Sequence, residues 1–154
     1  MIYDPYTREL LYRKAQYKNV LGRYSKKTSL LLAHPFDESL LLSLPATDSI
    51  ISDLRSRREI LCEFTEFSSI AECLRFTSSL MDDREYYLLM DEDWKFCGAY
   101  KVKSGVRLCE GFDFDSTDSD EIRLISSDFT AQFSIDYSVT GFSRTLDCCI
   151  RRYG

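Results

Sequence analysis

Polar and apolar positions follow two different periods along this chain, and the change falls near residue 84. Before it, apolar residues recur at the 3.6-residue spacing of a helix. Asp4 followed by Pro5 forms an N-cap with proline at the first helical position. Tyr6, Leu10, Tyr17 and Leu21 then line one face, and Gly22 is the expected stop. Residues 28–45 fit no single period: Thr28 to Ala33 is compatible with a short strand, and Pro35 and Pro45 punctuate the stretch. A second helix is expected from Thr47 or Asp48, with Ile50, Ile51, Leu54 and Leu61 on its apolar side and Arg55, Arg57 and Arg58 on its polar side. A third begins at Ser69, which with Glu72 makes an S-x-x-E capping box. Ile70, Cys73, Leu74, Thr77, Leu80 and Met81 continue it to Asp82-Asp83.

Beyond residue 84 the period falls to two. Phe129, Ala131, Phe133, Ile135, Tyr137 and Val139 alternate with Thr130, Gln132, Ser134, Asp136 and Ser138, as in a strand with one buried and one wet face. A two-residue loop at Thr140-Gly141 pairs Val139 with Phe142, Ile135 with Leu146 and Phe133 with Cys148, all on one face. A loop at Lys103-Ser104-Gly105 pairs Val102 with Val106, Tyr100 with Leu108 and Phe96 with Phe112. A loop at Asp91-Glu92-Asp93 pairs Met90 with Trp94 and Leu88 with Phe96, and residues 115–121 join Phe114 to Ile122. The expected fold is α+β in one domain, 1–154: a mainly helical part, 1–83, and an antiparallel sheet, 84–154. The N-terminal helices pack on a meander of about six strands, a curved sheet or partly closed barrel.

Composition sharpens this picture through charge. The chain has 154 residues and a net charge of −5. Residues 1–60 carry 10 basic and 7 acidic side chains, a net +3, and residues 61–154 carry 10 basic and 18 acidic ones, a net −8. The longest apolar clusters, Leu30–Ala33 and Leu40–Leu42, fall far short of the roughly 20 residues of a spanning helix. The N-terminus, Met1-Ile2-Tyr3-Asp4-Pro5, has neither an apolar core nor a small-residue cleavage site, so a cytoplasmic protein is expected. None of the six cysteines, Cys62, Cys73, Cys97, Cys109, Cys148 and Cys149, sits in a CxxC pair, and a reducing compartment argues for buried thiols. No metal or cofactor is expected.

Candidate chemistry is sparse. His34, the only histidine, stands near Asp37 and Glu38, but no nucleophile signature surrounds any cysteine. Residues 113–121 hold five carboxylates, Asp113, Asp115, Asp118, Asp120 and Glu121. The EF-hand template requires glycine and glutamate where this loop has Asp118 and Leu124, so calcium is not supported. Asp91-Glu92-Asp93-Trp94 is a second acidic loop, with the only tryptophan. In an up-and-down meander both loops fall at one end of the sheet, and the Lys103–Gly105 loop at the other. Such an end would steer a basic partner. Trp94 is either an aromatic anchor there or a core residue opposite Met90. The N-terminal helix suggests the opposite chemistry: Arg8, Arg13, Lys14, Lys18, Arg23, Lys26 and Lys27 interleave with Tyr6, Tyr12, Tyr17 and Tyr24, a pattern that suits phosphates and bases. The acidic balance of the whole chain counts against nucleic acid. Nucleotide-binding, zinc-protease and serine-hydrolase motifs are absent from the sequence.

In size, acidity, lack of export and catalytic motifs, and acidic loops, the chain resembles the small cytosolic bacterial immunity proteins of contact-dependent inhibition and other polymorphic toxin systems. The resemblance is one of type, with no motif matched residue by residue. It implies a non-enzymatic, antitoxin-like protein that occludes the active site of one cognate toxin domain, often a basic nuclease. Asp91, Glu92, Asp93, Trp94, Asp113, Asp115, Asp118, Asp120 and Glu121 would then form the binding surface. The alternative is a nucleic-acid-binding regulator that uses the basic, tyrosine-rich helix.

Overall fold

The computed structural model of the chain describes residues 4–154. Met1–Tyr3, part of the N-terminal stretch on which the cytoplasmic expectation rests, lie outside the described residues. Helix α1 spans Pro5–Leu32, 28 residues, and the Asp4 carboxylate caps it by accepting from the Thr7 N–H at 2.9 Å. Gly22 does not stop it, and Thr28–Ala33 is helix rather than strand. One interior glycine costs roughly 1 kcal/mol. Burying Tyr24 and Leu31 further along the same face returns about 1.5–3 kcal/mol each. The helix stops at Ala33, in the left-handed region at φ 54°, two residues before Pro35.

A single 3₁₀ turn, Glu38–Leu40, leads to α2, Leu44–Ser56, which starts earlier than expected because Ser43 caps it and Pro45 occupies its first turn. Strand β1, Glu59–Phe67, follows and contains Leu61, so this strand lies inside the part expected to be helical. Helix α3, Ile70–Leu80, starts as expected, with Ser69 Oγ accepting from the Glu72 N–H at 3.3 Å.

The remaining strands are β2 (Tyr86–Met90), β3 (Tyr100–Val102), β4 (Glu121–Ser126), β5 (Ala131–Thr140) and β6 (Ser143–Tyr153). Together with β1 they form one six-stranded antiparallel sheet in the order β1-β6-β5-β4-β2-β3. It is an open meander rather than a closed barrel, since the edge strands β1 and β3 do not meet. The β5–β6 hairpin turns at Gly141-Phe142, with Thr140 opposite Ser143 and Ile135 opposite Cys148. Gly141, at φ 61°, takes the positive-φ position. The register is two residues from the expected one, a shift that keeps every side chain on its face.

Two expected pairings do not form. Trp94 is not a strand residue opposite Met90; it opens the one-turn helix α4, Trp94–Cys97, and β2 pairs with β3 through Leu88 and Tyr100. Val106 to Phe114 is not a strand either. Leu108, Phe112 and Phe114 are buried from irregular backbone that packs against the sheet.

One sheet face, with Tyr86, Leu88, Leu124, Phe133 and Ile135, packs under Tyr24 and Leu31 of α1 and Cys73 and Leu74 of α3. On the other face α2 places Ile50 and Leu54 over Leu89 and Ile125. The layers are locked at Gly98, whose carbonyl accepts from the Tyr24 hydroxyl at 2.9 Å. At its φ of 90°, an added Cβ would lie 2.0 Å from the Leu42 carbonyl oxygen, so the α2 approach passes over a position that admits only glycine.

Candidate functional site at the acidic end of the sheet

Met90 at the end of β2 lies opposite Ile122 at the start of β4, so the loops that follow one and precede the other share an end of the sheet. Asp91 turns there at φ 52°. Its N–H donates to the Glu121 carbonyl at 2.8 Å, and its carboxylate accepts from the amides of Asp120 (2.8 Å) and Glu121 (3.0 Å). Asp91 is thus a backbone clasp between two loops.

Its charge is neutralised from α1. Lys27 Nζ donates to Asp91 at 2.8 Å and to Asp93 at 3.1 Å, and Arg23, one turn earlier on the same helix face, donates twice to Asp93 at 3.1 Å. The side chains of Lys27, Asp91 and Asp93 are only 7%, 10% and 4% exposed. Burial alone would raise the Asp91 carboxyl, but Lys27 and the two amides outweigh it and lower its pKa. Burial alone would lower the Lys27 ammonium, and the two carboxylates outweigh it and raise it. Asp120 is held above the ordinary carboxylate range by burial and by the neighbouring Asp91 charge.

The loop before β4 is held firmly. Phe112 and Phe114 anchor it in the core, with Phe114 stacked on Tyr137 at 5.0 Å. Asp113 accepts from the amides of Asp115 (2.9 Å) and Ser116 (3.2 Å), and the Ser119 N–H donates to the Phe114 carbonyl at 2.9 Å. Asp113, Asp115, Asp118 and Asp120 face solvent from this frame. Asp115 also meets Arg144 at 3.3 Å and accepts from the Tyr137 hydroxyl at 2.9 Å. A basin of about 530 Å³ opens between the loops, lined by Arg23, Lys27, Asp91, Glu92, Asp118 and Asp120 among others.

The end of the sheet therefore gathers Asp91, Glu92, Asp93, Asp118 and Asp120, with Asp113 and Asp115 on the same loop. Glu121 is half-buried beside Arg123, 2.9 Å away. Trp94 does not line the basin. It lines a groove between α1 and α2 with Arg13, Asp48 and Ile51, and the Arg123 guanidinium sits 5.4 Å over its ring. Lys27 and Arg23 are the residues the sequence reading did not attach to this end. An unbroken α1 carries the buried stripe Val20, Tyr24, Lys27 and Leu31 through Gly22 and would have exposed the link.

The basic N-terminal helix spends much of its charge on the protein itself. Arg13 makes a two-pronged pair with Asp48 at 2.8 and 3.0 Å, Tyr17 donates to Glu38, and Tyr24 is buried. His34 makes its polar contact with the Pro35 carbonyl. Burial pushes the Cys73 and Cys97 thiols up to about 12, far from a reactive thiolate. Among the described residues no group of three histidine, cysteine, aspartate or glutamate side chains is placed to hold a metal, and no helix is long and apolar enough to cross a membrane. Comparison with protein-family models, with curated proteins and with solved structures finds no match for the chain.

Proposed function

We propose that the protein is a non-enzymatic binding protein of the immunity type, acting in the cytoplasm, which neutralises a basic toxin domain by covering its active site with the acidic end of the sheet. The supporting observation is the framed loop 113–120. Four outward carboxylates stand on backbone that is hydrogen-bonded internally and pinned by two buried phenylalanines. A loop serving only as a solvated connection does not require such a frame. For a binder the frame lowers the ordering entropy lost on association. The contact set is Glu92, Asp113, Asp115, Asp118 and Asp120; Asp91 and Asp93 act behind it, holding the two loops together through Lys27. Trp94 plays no part in this contact, since it faces the α1–α2 groove.

The test is co-expression with a toxic domain encoded beside this chain. The protein restores growth, and Glu92→Lys with Asp118→Lys and Asp120→Lys removes the rescue while leaving the fold intact. With the purified pair, the reversal slows association by roughly 10-fold or more at low salt. Rescue that survives the reversal, or a neighbourhood with no toxic product, refutes the proposal.

A further inference from the structure

On the far sheet face a second site has the opposite charge. A cleft of about 390 Å³ runs between the C-terminal half of α2 and strands β4, β5 and β6. Arg55 and Arg57 reach it from α2 and the residue after it, Arg123 from β4 and Arg151 from β6. The last two stand in neighbouring cross-strand rows, since Arg123 is opposite Ser134, and Gln132 is opposite both Ile125 and Arg151. Only one carboxylate, Glu59, lines the cleft with them.

The guanidinium groups are incompletely satisfied. The Nε atoms of Arg123 and Arg151 are buried and have no hydrogen-bond acceptor. Glu121 lies 2.9 Å from the first and Glu59 3.6 Å from the second, yet neither is placed to receive the N–H. Arg55 and Arg57 make no ion pair among the described residues; Arg57 instead lies 5.6 Å over the Phe129 ring. Gln132, only 7% exposed, adds a side-chain amide to the floor. Buried donors without acceptors are destabilising, and four like charges in one cleft repel. Glu121 and Glu59 offset part of this charge, and an anion among the four arginines would supply the acceptors that are lacking.

We propose that this cleft binds a phosphomonoester dianion carried on a small apolar or aromatic body. Guanidinium forks match phosphate oxygens two at a time, and a dianion offers enough lone pairs for donors arriving from α2, β4 and β6. Ile51, Leu54, Ile125 and Tyr153 supply an apolar wall beside the charged floor. The volume lies in the range of small-molecule sites.

The experiment titrates the full chain with inorganic phosphate and, separately, with adenosine monophosphate, against chloride at equal ionic strength. Two readouts are followed: melting temperature, and emission of the single tryptophan, Trp94, over which the Arg123 guanidinium lies. Both probes are expected to raise the melting temperature saturably, by roughly 5–10 °C at a hundredfold excess over Kd. The nucleotide saturates at lower concentration, because its base meets the apolar wall, and emission changes along the same curve. Arg123→Gln with Arg151→Gln abolishes both responses. Arg55→Gln with Arg57→Gln, on the exposed rim, weakens saturation at least tenfold and decides the matter if the inner pair fails to fold. A response equal to that of chloride, or one unchanged in the rim variant, overturns the proposal. Neither outcome bears on the acidic end, which these variants leave intact.

Discussion

Lys27→Met isolates the central electrostatic arrangement of the acidic end. Methionine keeps the apolar stem and removes the ammonium, so Asp91 and Asp93 stay buried with one shared cation gone. Breaking a buried pair from one side costs about 3–5 kcal/mol. Arg23 still reaches Asp93 and two amides still reach Asp91, so the lower part of that range, about 3 kcal/mol, is expected. Against a total stability of about 5–15 kcal/mol that is a large fraction. With a urea m-value of about 2 kcal/mol/M, the midpoint falls by about 1.5 M, measured by circular dichroism at pH 7. Adding Asp91→Asn and Asp93→Asn to Lys27→Met restores part of the loss, because the amides remain capped while the unpaired charges disappear. The pH dependence has a definite sign. The lowered Asp91 pKa contributes stability that is full above the ordinary carboxylate range and is lost as pH falls through its folded value. The raised Lys27 pKa contributes stability that is full below the ordinary lysine range and is lost as pH rises through its folded value. The gap between wild type and Lys27→Met therefore narrows at both extremes. A loss below about 1 kcal/mol at pH 7, the value of an exposed pair, or a triple variant weaker than the single one, refutes the reasoning.

Two further outcomes follow from the backbone and the surface. Gly98→Ala is expected to lose more than about 3 kcal/mol in urea unfolding, since it combines a positive φ with a Cβ driven 2.0 Å from the Leu42 carbonyl oxygen. Phe142→Ser, at the fully exposed tip of the β5–β6 hairpin, is expected to change the melting temperature by no more than a degree or two.

The sheet strands with one buried face were the legible part of the fold. In β5 and β6, alternation named the faces correctly and even survived a two-residue slip of the turn, because such a slip preserves parity. Alternation failed between Val106 and Phe114 because it records which side chains are buried, and irregular backbone buries Leu108, Phe112 and Phe114 as well as a ladder would. Strand β1 was illegible for the converse reason: at an open edge both its faces reach solvent, so Ile60, Leu61 and Cys62 run together without a period. Helix α1 runs past the stop signal at Gly22 because the apolar stripe that continues beyond it outweighs one interior glycine. At the site, the shared end of the two acidic loops followed from chain order and hairpin geometry. That Asp91 and Asp93 turn inward did not, because their cations come from a helix more than 60 residues away in the chain.

The sheet order also sets a timetable for biosynthesis. Among the described residues, strand β1 makes its only ladder with β6, which begins 76 positions after Phe67. At ribosomal speeds of about 5–20 residues per second, β1 waits roughly 4–15 s for its partner. During that interval Ile60, Leu61 and Phe64, still exposed in the finished fold, sit on a strand with both edges open. The three glutamates spaced along it, Glu59, Glu63 and Glu66, are then the chief guard against pairing with another nascent chain. Misassembly between nascent chains is therefore expected to start in this window, on the stretch around residue 62.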